Sequence, residues 1–249
     1  MEAEKYLERI NYHGSTTPII GLLHALQKEH LLNIPFENLD IHYKTPIELD
    51  LPKIFDKVVN NKRGGFCYEL NGLFYELLRT IGFNVKMVSA RVFNNEKQTF
   101  SREFDHLAII ATINSSDYLV DVGFGEFAFE PLKIELNKIQ NDKRGLFRIE
   151  KYDDIYYKVS KLVDENWMID YIFSLKENQA KKKKFLRFCG IPCTIIMRAT
   201  LSHIWSKKSN FALVCPSASK NSRRGNVVAL QVGARHLRRL ESAGHQLRR

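Results

Sequence analysis

The sequence predicts an α+β fold in which helices come first and strands follow, with a third region of different texture at the end. Three observations carry that reading. Apolar residues recur at helical spacing through about residue 83, the period shortens to that of strands from 84 to 180, and acidic residues almost vanish from 181 to 249. Helices grouped ahead of strands argue for α+β and against alternating βαβ units.

The first helix is expected in TTPIIGLLHALQKEHLL (16–32), with Thr17 as N-cap and Pro18 at the first helical position. Ile19, Leu22, Leu23 and Leu26 then share one face. DLPKIFDKVVNNK (50–62) repeats the device, with Asp50 as cap, Pro52 in the first turn and Ile54, Phe55, Val58 and Val59 inward. A third helix runs from about Cys67 to a left-handed stop at Gly82. Strand-like runs follow at 84–93, 106–113, 118–125, 154–162 and 167–175, divided by polar turns such as NSSD. The domain organisation expected is therefore a helical unit at 1–83, a β-rich unit at 84–180 and a basic tail at 181–249, with no internal repeat.

The chain has 249 residues, 44% hydrophobic and 11% aromatic, which is ordinary globular composition. No stretch approaches the length of a membrane span, and the N-terminus MEAEKYLERI is acidic where a signal peptide would be basic and then apolar. A cytoplasmic location is expected. Formal net charge is +10, yet residues 181–249 hold 16 Lys and Arg against the single acid Glu241, leaving 22 bases and 27 acids before them. No basic patch with interleaved aromatics marks the main body, so neither nucleic acid nor a membrane is expected as a partner. Four cysteines, at 67, 189, 193 and 215, are too few and too uneven for a disulfide framework. Cys189 and Cys193 form a C-x3-C pair, but no second pair at zinc spacing follows, and no metal is expected.

Cys67 stands in RGGFCYELN, at a helix start behind two glycines and an arginine. Unpaired backbone N–H groups and the positive end of the helix dipole both favour a thiolate there. Gly64 and Gly65 allow a tight turn that leaves N–H groups for an oxyanion. The plain alternative is a small core residue, as most lone cysteines are. A nucleophilic thiol needs a base, and the base an orienting group. His106 opens the run HLAIIATI, and Asp121 lies inside YLVDVGF, where a carboxylate calls for a partner. With a two-residue turn at Asn114 and Ser115, residue 106 pairs with 123 and Asp121 becomes its diagonal neighbour on one face. A longer turn across NSSD keeps both on that face but further apart.

IPFENLD (34–40), RGGFCYELNGLF (63–74), DHL (105–107) and VDVGFGEFAFEPL (120–132), together with the opening YLERINY (6–12), resemble the arylamine N-acetyltransferases in order and spacing. The resemblance covers about residues 4–178. It implies an N-terminal helical bundle followed by a β-barrel-like domain, and a cysteine-protease-like triad of Cys67, His106 and Asp121. It further implies acetyl transfer from acetyl-CoA, as co-substrate, to arylamines or arylhydrazines by a ping-pong route through an acetyl-cysteine, in the service of xenobiotic metabolism. Phe36, Phe124 and Gly125 are the implied substrate contacts, with Glu37, Arg63 and Asn71 bracing the site. After about Lys184 the family's third, lid-like domain is not recognisable, which suggests an atypical or degraded lid, as from a frameshift. Two further readings stay open: a catalytically impaired relic of that enzyme, and a papain-like cysteine hydrolase.

Overall fold

The computed structural model describes residues 1–175, so the basic tail expected at 181–249 lies outside the described residues. Five α-helices precede the first strand: α1 (Ala3–Arg9), α2 (Ile20–Asn33), α3 (Leu39–His42), α4 (Leu51–Phe55) and α5 (Cys67–Ile81). Helix α2 begins later than expected. Thr17 does not cap it, because its N–H and its hydroxyl both turn to the Ser15 hydroxyl, and Ile19 is 57% exposed instead of sharing the buried face. That face buries Leu22, Leu23 and Leu26, and with them the polar Gln27 and His30.

Helix α4 starts as expected, with the Asp50 carboxylate accepting the Lys53 N–H at 3.1 Å and proline in the first turn. It does not continue regularly, however, but widens into a π-helical turn, Asp56–Asn60, in which the Asn61 N–H reaches back to Asp56 O at 2.8 Å. The wide turn keeps Val58 and Val59 buried and still turns Lys57 inward toward α5. Helix α5 runs between the expected ends, closed by Gly82 at φ +105°, and buries the stripe Leu70, Leu73, Phe74, Leu77 and Leu78.

Nine strands follow among the described residues: β1 (Asn84–Asn94), β2 (Thr99–Phe100), β3 (His106–Ile113), β4 (Ser116–Val120), β5 (Leu132–Lys133), β6 (Ile139–Asp142), β7 (Gly145–Lys151), β8 (Tyr157–Val163) and β9 (Asn166–Phe173). All pairings are antiparallel, in the order β5-β4-β3-β1-β9-β8-β7-β6, with β2 beside β1. The expected strand 118–125 stops at Val120, so Asp121 and VGFG form a loop beyond it. Strands β2, β5, β6 and β7 were not expected. Three are short, and β7 turns only Phe147 and Ile149 into the core.

The sheet curls into a nearly closed barrel, and its two edges are joined by a side chain. The Gln140 amide on β6 donates to Lys133 O at 2.9 Å and accepts the Lys133 N–H of β5 at 2.8 Å, imitating a peptide group. Strand β3 divides the interior. Ile109, Ala111 and Ile113 face the helices, while Ala108 and Ile110 face the barrel core of Phe127, Phe147, Val159, Tyr171 and Phe173.

Candidate active site

Cys67 is the first residue of α5 and only 1% exposed. The preceding turn is held against the IPFENLD segment: the Gly65 N–H donates to Pro35 O at 3.3 Å, and Gly65 O accepts the Glu37 N–H at 2.9 Å. A Cβ on Gly64 would fall 1.9 Å from Pro35 O, so the approach requires glycine. Phe66 is the N-cap and has no acceptor of its own, but its N–H is taken by the Glu69 carboxylate at 3.0 Å. The expectation that glycine amides wait here for an oxyanion is corrected at Gly65, whose N–H is already bonded, and likewise at Phe66. The N–H of Cys67 itself lies in the first turn, ahead of any carbonyl the helix can offer.

The β3–β4 hairpin supplies the other two groups. Asn114 and Ser115 both have positive φ, 47° and 61°, and Ile113 pairs with Ser116, so the turn has two residues, as one of the two registers requires. The register carries His106 and Asp121 to one face at the hairpin's open end. His106 Nε2 donates to Asp121 Oδ2 at 2.6 Å, and the buried Cys67 side chain stands close enough to act on the imidazole's charge. Burial alone would depress the imidazole's pKa, but the charge and hydrogen bond of Asp121, with the Cys67 contact, outweigh it and push His106 up to about 10. The thiol, the imidazole and the carboxylate thus meet as one buried group.

Four further side chains fix this chain in place. Asn71, one turn along α5 from Cys67, donates to Leu107 O at 2.6 Å and to Asp121 Oδ1 at 2.8 Å, and accepts the Val122 N–H at 2.9 Å. It ties the helix to both strands. The Tyr171 hydroxyl donates to Asp121 Oδ2 at 3.0 Å, on the oxygen that His106 uses. Gln27 accepts the Asp121 N–H at 3.3 Å and donates to Ala128 O at 2.9 Å, pinning both ends of the VGFG loop. The Tyr68 hydroxyl donates to Phe104 O just before His106. Gly123 packs so closely that an added Cβ would stand 2.7 Å from the Cys67 Cα.

Of the expected substrate contacts, Phe36 packs partly buried against the small cluster of Phe66, Cys67, Tyr68 and Leu107. The Phe124 ring stands edge-on to His106 at 5.2 Å and to Tyr171 at 5.0 Å. Gly125 has φ 56°, and its carbonyl, with that of Phe127, accepts Arg144 Nη1 at 2.9 and 2.8 Å. The loop's aromatic wall is therefore braced by the β6–β7 turn. Sequence reasoning missed Tyr171, Gln27, Arg144 and Lys57. Gln27 alone carried a usable signal, a polar residue within the apolar stripe of α2. Among the described residues no cluster of His, Cys, Asp and Glu has the makings of a metal site, and no helix is long and apolar enough to cross a membrane.

The geometry agrees with relationships across the chain. A family model described as N-acetyltransferase matches residues 20–189. Human arylamine N-acetyltransferase 1 is 30% identical over 229 residues, covering 87% of this chain and 79% of the relative. The chicken (Gallus gallus) arylamine N-acetyltransferase, pineal gland isozyme NAT-3, is 36% identical over 160 residues, and there the match spans 63% of this chain but only 55% of the relative, about half its length. The solved arylamine N-acetyltransferase of M. tuberculosis superposes with a TM-score of 0.66 at 32% identity, covering 71% of this chain and 67% of its own. That of Mycobacterium marinum in complex with CoA gives 0.66 at 32% identity, covering 72% and 68%.

Proposed function

The chain belongs to the arylamine N-acetyltransferase family, and on that premise we propose that it carries an acetyl group from acetyl-CoA to the nitrogen of an arylamine or arylhydrazine, with Cys67 as the carrier. The observation that supports this most directly is the 2.6 Å hydrogen bond from His106 to Asp121, buried beside the Cys67 thiol at the start of α5. In the first half-reaction the thiol proton already rests on His106, whose charged form Asp121 favours, and the thiolate attacks the thioester carbonyl of acetyl-CoA. The new carbon–sulfur bond gives a tetrahedral oxyanion, toward which the Cys67 N–H at the helix start supplies a donor. As the oxyanion collapses, the bond to the CoA sulfur breaks and the imidazolium gives that sulfur its proton. In the second half-reaction the amine nitrogen attacks the acetyl-cysteine, His106 removes a proton from the nitrogen, and the Cys67 sulfur leaves.

Asp121 holds the imidazole by Nε2 and offsets its positive charge in both halves. Phe36 and Phe124, beside the thiol and the imidazole, are the surfaces against which the aryl ring would lie, with Gly125 turning the loop between them. Glu37, Arg63 and Asn71 act behind them as braces. The functional division proposed is a helical part, 1–83, carrying the nucleophile and a β-rich part, 84–180, carrying its base and carboxylate.

The test is CoA release from acetyl-CoA by the full chain, with and without an arylamine such as anisidine. A stoichiometric burst without acceptor, turnover with it, and loss of both in Cys67→Ala are expected. Full transfer by Cys67→Ala would overturn the assignment of the nucleophile. Silence of the wild-type chain would favour an impaired relic, and peptide cleavage a cysteine hydrolase.

A further inference from the structure

Behind the turn that carries Cys67, five charged side chains meet. Lys57 comes from the π turn, Glu37 and Asp40 from the segment around α3, Arg63 from the turn itself and Glu69 from the first turn of α5. Lys57 Nζ lies 2.9 Å from each Glu69 oxygen, 2.7 Å from Asp40 and 3.8 Å from Glu37. Arg63 is engaged elsewhere, with Glu37 at 2.8 Å and Asp40 at 2.7 Å. Glu69 is the most buried of the three carboxylates, its side chain 5% exposed, and Lys57 is the cation that reaches it.

Glu69 is also the one of these three carboxylates that holds the turn by its backbone, through the N–H of Phe66, the residue directly before Cys67. Its charge therefore enters the turn one residue before a thiol that the proposed chemistry needs as an anion. Like charges in one turn disfavour one another unless a cation offsets them. We propose that Lys57 is a positioning residue for Cys67, acting through Glu69: it neutralises that carboxylate and so keeps the helix start capped without penalising the thiolate. The inference rests on the reading of Cys67 as a reactive thiol.

Electrostatics and geometry agree. Burial holds the Glu69 carboxyl above the usual carboxylate range, and Lys57 and the Phe66 N–H draw it back down against the added charge of Glu37. Without Lys57, burial and Glu37 act unopposed except for one backbone N–H. Glu69 then either keeps an uncompensated charge in that turn or takes up a proton and weakens its grip on Phe66.

The experiment is alkylation of Cys67 by iodoacetamide in the full chain between pH 5 and 9, quantified at that residue by peptide mass spectrometry. Thermal unfolding checks that each variant is folded. In Lys57→Met the rate at pH 7 falls by about tenfold, the effect of one pKa unit from an unscreened like charge, and the rise of the profile moves to higher pH. Lys57→Arg, which keeps the cation, stays within about threefold of wild type. The double variant Lys57→Met with Glu69→Gln recovers to within about threefold, because a neutral amide oxygen still accepts the Phe66 N–H.

A Lys57→Met profile that superimposes on wild type overturns the proposal, as does a double variant no faster than the single one, since Lys57 would then act by packing alone. If Lys57→Met does not fold, the double variant decides the matter: near-wild-type reactivity supports the proposal and a tenfold deficit overturns it. Wild-type protein that alkylates normally but releases no CoA from acetyl-CoA would defeat the transferase reading and leave the Lys57 result standing.

Discussion

At Asp121 one carboxylate does several jobs. Oδ2 accepts from His106 and Tyr171, and Oδ1 accepts from Asn71 and from the Gly123 N–H at 2.9 Å. Four donors converge on a fully buried group, which is how a charge is kept inside a protein core. An Asn in its place offers one acceptor oxygen and an NH2 group that opposes the donors already there. Asp121→Asn is therefore expected to leave the chain folded but to lower the proposed acetyl transfer by roughly 10^4-fold, as when a Ser-His-Asp triad loses its carboxylate. The rate of CoA release and the unfolding midpoint, measured on the same preparation, check this. Tyr171 illustrates why such roles escape sequence reading. A tyrosine in an apolar strand looks like core, and only the closing of β9 beside β1 and the loop after β4 brings its hydroxyl to an acid 50 residues away.

At the level of elements, legibility followed how local each cause is. The cap at Asp50, the left-handed stop at Gly82 and the turn at Asn114 and Ser115 depend on near neighbours; the first two form as read, and the turn takes the shorter of the two lengths left open. The His106–Asp121 contact was legible because the hairpin's parity puts both residues on one face. Strands β5 and β6 were not, because neither is a strand by its own composition. Lys133 and Gln140 become the barrel's seam only through each other. Helix α2 failed at its start for a similar reason, its expected cap being captured by Ser15. The seam makes a prediction. Gln140→Ala removes two hydrogen bonds at a partly exposed position and should cost about 1 kcal/mol, read from the denaturant midpoint, with faster amide exchange in β5 than in β3.

For the whole molecule, two buried histidines set opposite limits on stability. His106 is raised from 6.5 to about 10, so its contribution is complete below pH 6.5 and is lost as pH rises toward 10. His30 is lowered to about 3 by burial first and by the charge of Arg9 second, and it accepts or shares a proton with the Tyr6 hydroxyl at 2.8 Å. Because it stays neutral when folded, it costs stability as pH falls from 6.5 toward 3. Unfolding temperature should thus pass through a maximum near pH 6.5. His30→Gln should flatten the acid limb and Asp121→Asn the alkaline one, which differential scanning calorimetry across pH 4–10 would resolve. Strand β3 makes these limits global, since one of its faces packs against the helices and the other lines the barrel core.

The Asn71 clasp has a consequence in time as well as space. Its amide binds groups 36 and 50 residues further along the chain, on either side of His106, the base proposed for Cys67. During synthesis the thiol emerges from the ribosome long before His106, Asp121 and Tyr171 exist. On the function proposed, a nascent chain carries an ordinary cysteine, and its reactivity arises only when β9 has closed beside β1.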